Sequence, residues 1–297
     1  MTVELKEIKI LGNCQVGGIA ESISLLVEGS KVHGELATNN IAELGSVLSQ
    51  HIECQGRLIV CDSVRSLIVN NPALKDFDRP DTIYYPSISF AAFHPDIQYA
   101  FNQGSVAKNG LGSDWNSRIL LWAYLHGQTP QQARKLFNSK TFEMLGYFSE
   151  WERSSQKLQK VFRECNFDYV RWIRSVQRAG IFMYGINHPT QFALSKLSIQ
   201  LAEKIFPQSF INRSNLIYLT NDHLSHIVWP IYPEIGDRLG LDSSYLWRVN
   251  QKISDLQEFS ELCFQSFDRI KLRDQNLTLI PPTSSLENKI LHAIVDS

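Results

Sequence analysis

The sequence predicts an α/β protein: a parallel sheet flanked by helices, with a helical insertion and a helical C-terminal region. Three observations predict it. Over the first hundred residues, apolar and β-branched runs alternate with segments whose apolar residues recur at helical spacing, the pattern of strands joined by crossover helices. From about position 97 to 176 the text is helix-like throughout. Four of the apolar or extended runs end in polar clusters, as strands do when their carboxyl ends meet a ligand.

In chain order, "EIKILGN" reads as a strand, and Val16 to Leu26 as a helix with Ile19, Ile23 and Leu26 on one face. "SKVHGEL" is a weaker strand. "NNIAELGSVLSQHI" is a helix with an asparagine cap, and "RLIVCDS" is a short buried strand ending in Asp62 and Ser63. "DTIYYPSISF" is extended, with Pro86 restricting it to an edge or irregular position. Within the insertion, "SRILLWAYLHG", "TPQQARKLF" and "FSEWERSSQKLQKVFREC" are helical, Thr129 and Pro130 forming a cap and first turn. "AGIFMYGINHP" regains strand character, "TQFALSKLSIQLAEKIF" is an amphipathic helix, and 207–297 holds short helices and loops. No repeat or flexible linker interrupts the chain, so one domain is expected over 1–297, with the insertion at about 97–176.

Hydrophobic residues make up 43% and charged residues 20% of the 297, enough to build a core and too few charges for disorder. The formal charge, 29 basic against 30 acidic residues, is -1, so no global field draws the chain to nucleic acid or an anionic membrane. An anion must be met by a local site. No signal-like start and no apolar window of about 18 residues is present, which predicts a cytoplasmic protein without a transmembrane segment.

Five scattered cysteines lack CxxC pairing or zinc-ligand spacing, so neither a disulfide framework nor a metal is expected. His223 and His226 share a helical face, but no third ligand accompanies them. Cys14 is different. It stands where the first strand becomes the first helix, at the positive end of a helix dipole that favours a thiolate, and this predicts a depressed thiol pKa. Asn13 and Gln15 flank it, and Gly17 and Gly18 let backbone approach a ligand, so the N–H groups there, with the Asn13 side chain, form a candidate oxyanion pocket. The alternative is a cysteine packed beneath the helix. The glycine spacing fits neither GxGxxG nor a P-loop.

His94 and His188 each follow extended apolar sequence and precede a proline, which places both at expected strand ends as candidate bases. Asn187, beside His188, is a further candidate for the oxyanion or substrate-binding pocket, with Asn13, Gln15, Gly17 and Gly18. Asp96 either orients an imidazole as the third member of a nucleophile–base–orienter set or caps a helix beginning near Ile97.

"ILGNCQVGGIAESI", "SISFAAFHPDIQY", "YGINHPTQFALSKL" and "WPIYPEIGDRLGL" together resemble the WcbI-type polysaccharide biosynthesis family. The resemblance implies an SGNH/flavodoxin-like α/β fold and a coenzyme A-dependent acetyltransferase of bacterial capsule loci. It further implies Cys14 in the nucleophile position, with His188 as base and His94 with Asp96 as the alternative. Sulfur replaces the usual serine of SGNH enzymes, and "INHP" is not their DxxH arrangement.

The leading expectation is acyl transfer from acetyl-coenzyme A to a carbohydrate hydroxyl, with Lys108 and Arg118 as cationic contacts for the coenzyme A phosphates. Two alternatives stand beside it: a thiol-dependent esterase using the same residues, and, from a different class, a non-catalytic module binding coenzyme A or a nucleotide within a biosynthetic complex.

Overall fold

The computed structural model of the chain describes residues 6–207 and 216–295. Its first strand, β1 (Lys6–Gly12), buries Ile8, Ile10 and Leu11, and α1 (Val16–Leu26) follows within one tight turn. β2 (Ser30–Leu36) pairs with β1 in parallel from Lys6↔Ser30 to Gly12↔Leu36. α2 (Ile41–Gln55) starts on Asn40, whose side chain accepts from the N–H groups of Ala42 and Glu43, and it ends on Gly56 in the left-handed conformation. β3 (Ile59–Cys61), wholly buried, leads into α3 (Asp62–Asn70), and β4 (Ile83–Tyr85) completes a parallel sheet of order β2-β1-β3-β4.

Past residue 90 come β5 (Ile97–Asn102), β6 (Ser105–Val106), β7 (Asn116–Ser117) and α4 (Arg118–Leu125). The helices α5 (Pro130–Arg134), α6 (Ser139–Met144), α7 (Glu150–Glu164), α8 (Tyr169–Gln177) and α9 (Gln191–Ile205) follow. The remainder holds β8 (Ile227–Val228), α10 (Pro233–Leu239), β9 (Trp247–Val249), β10 (Lys252–Ser254), α11 (Leu256–Arg269), β11 (Leu277–Ile280) and α12 (Ser285–Val295). These elements sort into two compact units: residues 1–89, 155–183 and 187–225, and residues 90–154, 184–186 and 226–297.

In the first unit, α1 buries Val16, Ile19, Ile23 and Leu26, each contributing about 1.5–3 kcal/mol of transfer free energy. Close approach on both sides of α1 depends on glycine. A Cβ on Gly34 would lie 2.8 Å from the Val16 carbonyl oxygen, and one on Gly18 would overlap Gln191 Oε1 and lie 2.8 Å from Leu194 Cδ1. The α1–α9 seam is polar as well as tight. Gln191 Nε2 donates to the Gly18 carbonyl (3.0 Å) and to Ser22 Oγ (2.9 Å), and the Ser22 and Ser195 hydroxyls lie 3.2 Å apart.

In the second unit, β5 pairs antiparallel with β11, β6 and β7, and β8, β9 and β10 form a small antiparallel sheet. The core there is aromatic: the Trp247 and Phe259 rings stack at 4.2 Å, with Trp229 and Tyr232 against them. The Thr129–Pro130 start of α5 is a full capping box with Gln132.

Three expectations need correction. Residues 97–102 are a strand, because Ile97 and Gln98 pair with 116–117 and Tyr99 to Asn102 with 277–280 and 105–106, and are not wound at helical period. "AGIFMYGINHP" forms no sheet strand. Gly180 takes φ 83°, and the segment turns back on itself, so that Met183 and Pro189 make an isolated antiparallel bridge and Thr190 N–H reaches the Phe182 carbonyl (2.9 Å). The C-terminal region is mixed, with strands β8 to β11 among its helices. The expected helical insertion at 97–176 divides, 97–154 falling in the second unit and 155–176 in the first. Of the expectations for 207–297, those for 208–215 and 296–297 lie outside the described residues, as does the start of the chain at 1–5. Among the described residues no helix is long and apolar enough to cross a membrane.

Candidate functional site at the carboxyl edge of the parallel sheet

β1 ends at Gly12, and the next three residues make the turn into α1. Asn13 Oδ1 accepts the Gln15 N–H (3.0 Å), and the Asn13 carbonyl accepts the Val16 N–H (3.0 Å). This turn leaves Cys14 exposed at its apex. The packed-cysteine alternative therefore fails. No side chain caps α1, and among the described residues the N–H groups of Gly17 and Gly18 find no acceptor. The two glycines differ: nothing lies within 4 Å of a Cβ on Gly17, whereas Gly18 is required by the α9 contact.

The neighbouring strand ends come to the same edge. Asn13 Nδ2 donates to Ser63 Oγ (3.4 Å), and Ser63 Oγ donates to the buried Cys61 thiol (3.3 Å). The Asp62 carboxylate accepts the Ser87 N–H beyond β4, and Tyr85 Oη donates to the Leu11 carbonyl (3.1 Å), crossing the space that a side chain on Gly12 would fill. Burial pushes the Asp62 carboxyl up, offset in part by the Ser87 hydrogen bonds, and pushes the Cys61 thiol up to about 12.

Gln15 departs from expectation. Its side chain is 1% exposed, and its amide is fully engaged: Nε2 donates to the carbonyls of Ile88 (2.7 Å) and Asn187 (3.0 Å), while Oε1 accepts the Ile88 N–H (2.9 Å). Its backbone N–H is held by Asn13. Gln15 is thus not an oxyanion donor but a clamp, and it draws in the segment carrying Asn187 and the half-buried His188. Cys14 and His188 each stand one residue from the Gln15–Asn187 hydrogen bond.

The thiol itself departs from the helix-dipole argument. Desolvation pushes the Cys14 thiol above its ordinary range, and the hydrogen bond from its own backbone N–H only partly offsets this. At neutral pH the sulfur is protonated and needs a base.

The remaining candidates lie in the second unit. His94 is 2% exposed, in a turn that precedes β5 and does not end a strand, with Nδ1 3.3 Å from the Pro230 carbonyl oxygen. Asp96 is fully buried. Its carboxylate accepts from Ser117 Oγ (2.5 Å), Tyr232 Oη (2.8 Å), Tyr147 Oη (2.9 Å) and the Ile119 N–H (3.1 Å). It caps no helix at Ile97, where β5 begins; through the Ile119 N–H it supports the first turn of α4, whose N-cap is Ser117. Burial pushes its carboxyl up, and these four donors pull it back. Arg118 is buried, with Nη1 2.5 Å from Glu287 Oε1, so its guanidinium is committed within the fold and does not suit a solvent-borne phosphate. Lys108 is exposed, 3.8 Å from Asp114.

His223 Nε2 pairs with Glu21 (2.8 Å) on α1, and among the described residues no cluster of His, Cys, Asp and Glu is arranged to hold a metal. Two contributors escaped sequence reasoning: the Ile88 peptide, clamped by Gln15, and Ser87, held by Asp62. The only local signal was the continuation of "YYPSIS" past Pro86.

Fold and site together define an α/β protein with a solvent-facing cysteine at the carboxyl edge of a parallel sheet, on the turn into its first helix. The model of the WcbI polysaccharide biosynthesis enzymes matches residues 7–207, and the chain belongs to that family. The chain also resembles a solved structure of a WcbI polysaccharide biosynthesis enzyme, described as native protein without a disulfide bond between coenzyme A and Cys14 of that protein. The likeness has a TM-score of 0.65 at 12% identity and covers 99% of this chain and 94% of the other. No curated protein sequence matches the chain.

Proposed function

We propose that the protein is a coenzyme A-dependent acyltransferase, moving an acetyl group onto a carbohydrate hydroxyl in the biosynthesis of a capsular or other surface polysaccharide. One observation carries this reading: an exposed thiol stands at the start of α1, beside two N–H groups that find no acceptor among the described residues, with the His188 segment hydrogen-bonded to the residue after it. Family membership supports the polysaccharide context, and the related structure supports coenzyme A as a ligand.

The elevated thiol pKa sets the order of events. His188 takes the Cys14 proton as sulfur attacks the thioester carbonyl, and the N–H groups of Gly17 and Gly18 receive the developing oxyanion. The carbon–sulfur bond to coenzyme A breaks, and its thiolate leaves with the proton from His188. The sugar hydroxyl then attacks the acyl-cysteine and gives its proton to His188, which returns it to the Cys14 sulfur. Gly17, with open space at its Cα, admits the ligand to the backbone. Within this reading Asp96 and Arg118 maintain the fold, and the protein works in the cytoplasm, where thioester donors are made.

The test is acetyl transfer by Cys14→Ser and His188→Ala. Each is expected to lower the rate by at least about 100-fold, the lower end of what a positioned base supplies, with native circular dichroism retained. Full activity in both overturns the reading. Consumption of acetyl-coenzyme A without any acceptor identifies water as the acyl acceptor instead.

A further inference from the structure

The Gln15 side chain is buried, and its amide makes three hydrogen bonds to backbone of two distant segments. With the Ile88 peptide it exchanges bonds in both directions, as one strand residue does with another. Its remaining N–H goes to the Asn187 carbonyl, the peptide oxygen directly before His188. On the far side of His188, Thr190 caps α9 by accepting the Ala193 N–H, and the Gln191 N–H is held by Asp222 Oδ2 (3.1 Å). The histidine therefore sits in a short span fixed at one end by a helix start and at the other by Gln15.

We propose that Gln15 is the positioning residue of the site, holding the imidazole of His188 at the distance from Cys14 that proton transfer requires. The inference rests on the reading of His188 as the base. The chemistry explains the residue type. The position calls for one acceptor and two donors in a single plane, and a primary amide supplies them. Glutamate would satisfy the Ile88 N–H but face the Ile88 and Asn187 carbonyls with like partial charge. Methionine fills the same volume and makes none of the three bonds.

The experiment measures Cys14 alkylation by iodoacetamide from pH 5 to pH 10.5, in full-length protein carrying Cys54→Ser, since Cys54 is the other exposed thiol. In this parent, a neighbouring base adds a limb to the rate at lower pH than the main thiolate rise. His188→Ala removes that limb. Gln15→Met and Gln15→Glu are expected to remove it too, lowering the rate at pH 7 at least about tenfold, within the range a displaced base forfeits, while the rate above pH 10 stays at the parent value. A merely structural role would shift the unfolding temperature and leave the shape of the profile alone.

If His188→Ala leaves the parent profile unchanged, the assignment of the base fails. If His188→Ala removes the limb and both Gln15 variants keep it, the positioning role fails. Should neither Gln15 variant fold, the parent decides by NMR. The Gln15 side-chain amide resonances are expected to follow the His188 titration, and flat amide shifts while the imidazole titrates overturn the proposal.

Discussion

At Cys14 two influences compete: the helix start favours a thiolate, and desolvation of the sulfur disfavours it. Desolvation prevails, so the thiol sits above its ordinary range although the residue is exposed. The sign of the pH effect follows. An acid whose neutral form is favoured ionises later, so alkylation of Cys14 is expected to make its main rise above pH 9, with the imidazole contributing only a minor limb lower down. A plateau reached below pH 8 would contradict this. The position of the cysteine was legible in "GNCQ", because a strand and a helix recognisable on either side define the turn between them. Its pKa was not, because desolvation depends on residues brought in from elsewhere. Gln15 and Asp96 teach the same lesson. Both were marked as polar residues with work to do, yet the Gln15 partners lie 73 and 172 positions away, and one Asp96 donor lies 136 away. No helix starts at Ile97 for Asp96 to cap; its Oδ1 instead accepts the Ile119 N–H in the first turn of α4, which lies beyond three intervening strands and takes its N-cap from Ser117.

Elements whose signals are local were read well. The asparagine cap of α2, the Thr129–Pro130 start of α5 and the apolar stripe of α1 are each written in a short local stretch, and each forms as its text implies. The strand expected in "AGIFMYGINHP" failed because its apolar residues reach burial through a reversal, with Gly180 at positive φ, and not by joining a sheet. The adjacent glycines at the start of α1 give an element-scale prediction. Gly18→Ala forces a methyl group into Gln191 and Leu194 across the α1–α9 seam and is expected to cost about 1–3 kcal/mol, as overpacking does. Gly17→Ala meets open space, removes the helix penalty of glycine and is expected to stabilise by up to about 1 kcal/mol. Chemical denaturation measures both. Equal effects at the two positions would mean that α9 does not pack against α1 as described. If the Gly17 N–H receives an oxyanion, Gly17→Ala lowers turnover while raising stability, a combination that a structural glycine does not produce.

For the molecule as a whole, a net charge of -1 supplies no long-range attraction for an anion, so the anionic donor of the proposed reaction would have to be met by local contact. Sheet order also places the candidate site. β1 lies inside the sheet between β2 and β3, so the loop after it is flanked by neighbouring strand ends, an arrangement suited to enclosing a ligand. Strand and helix alternation made the parallel sheet legible in advance. The division into two compact units was not, because it groups residues 90–154 with 226–297 through contacts that no local pattern encodes. A ligand that binds only the native state stabilises it by about 2.7 kcal/mol at a concentration one hundred times its dissociation constant. Coenzyme A is therefore expected to raise the unfolding temperature by several degrees. Arg118→Gln makes the test discriminating. Loss of the buried pair with Glu287 lowers the unfolding temperature of the ligand-free protein, but the rise caused by coenzyme A is expected to equal that of the parent, because the guanidinium faces a carboxylate within the fold. A rise abolished by Arg118→Gln would return that arginine to the phosphate site. No rise in the parent, with either coenzyme A or its acetyl thioester, would remove the thioester donor from the proposed reaction.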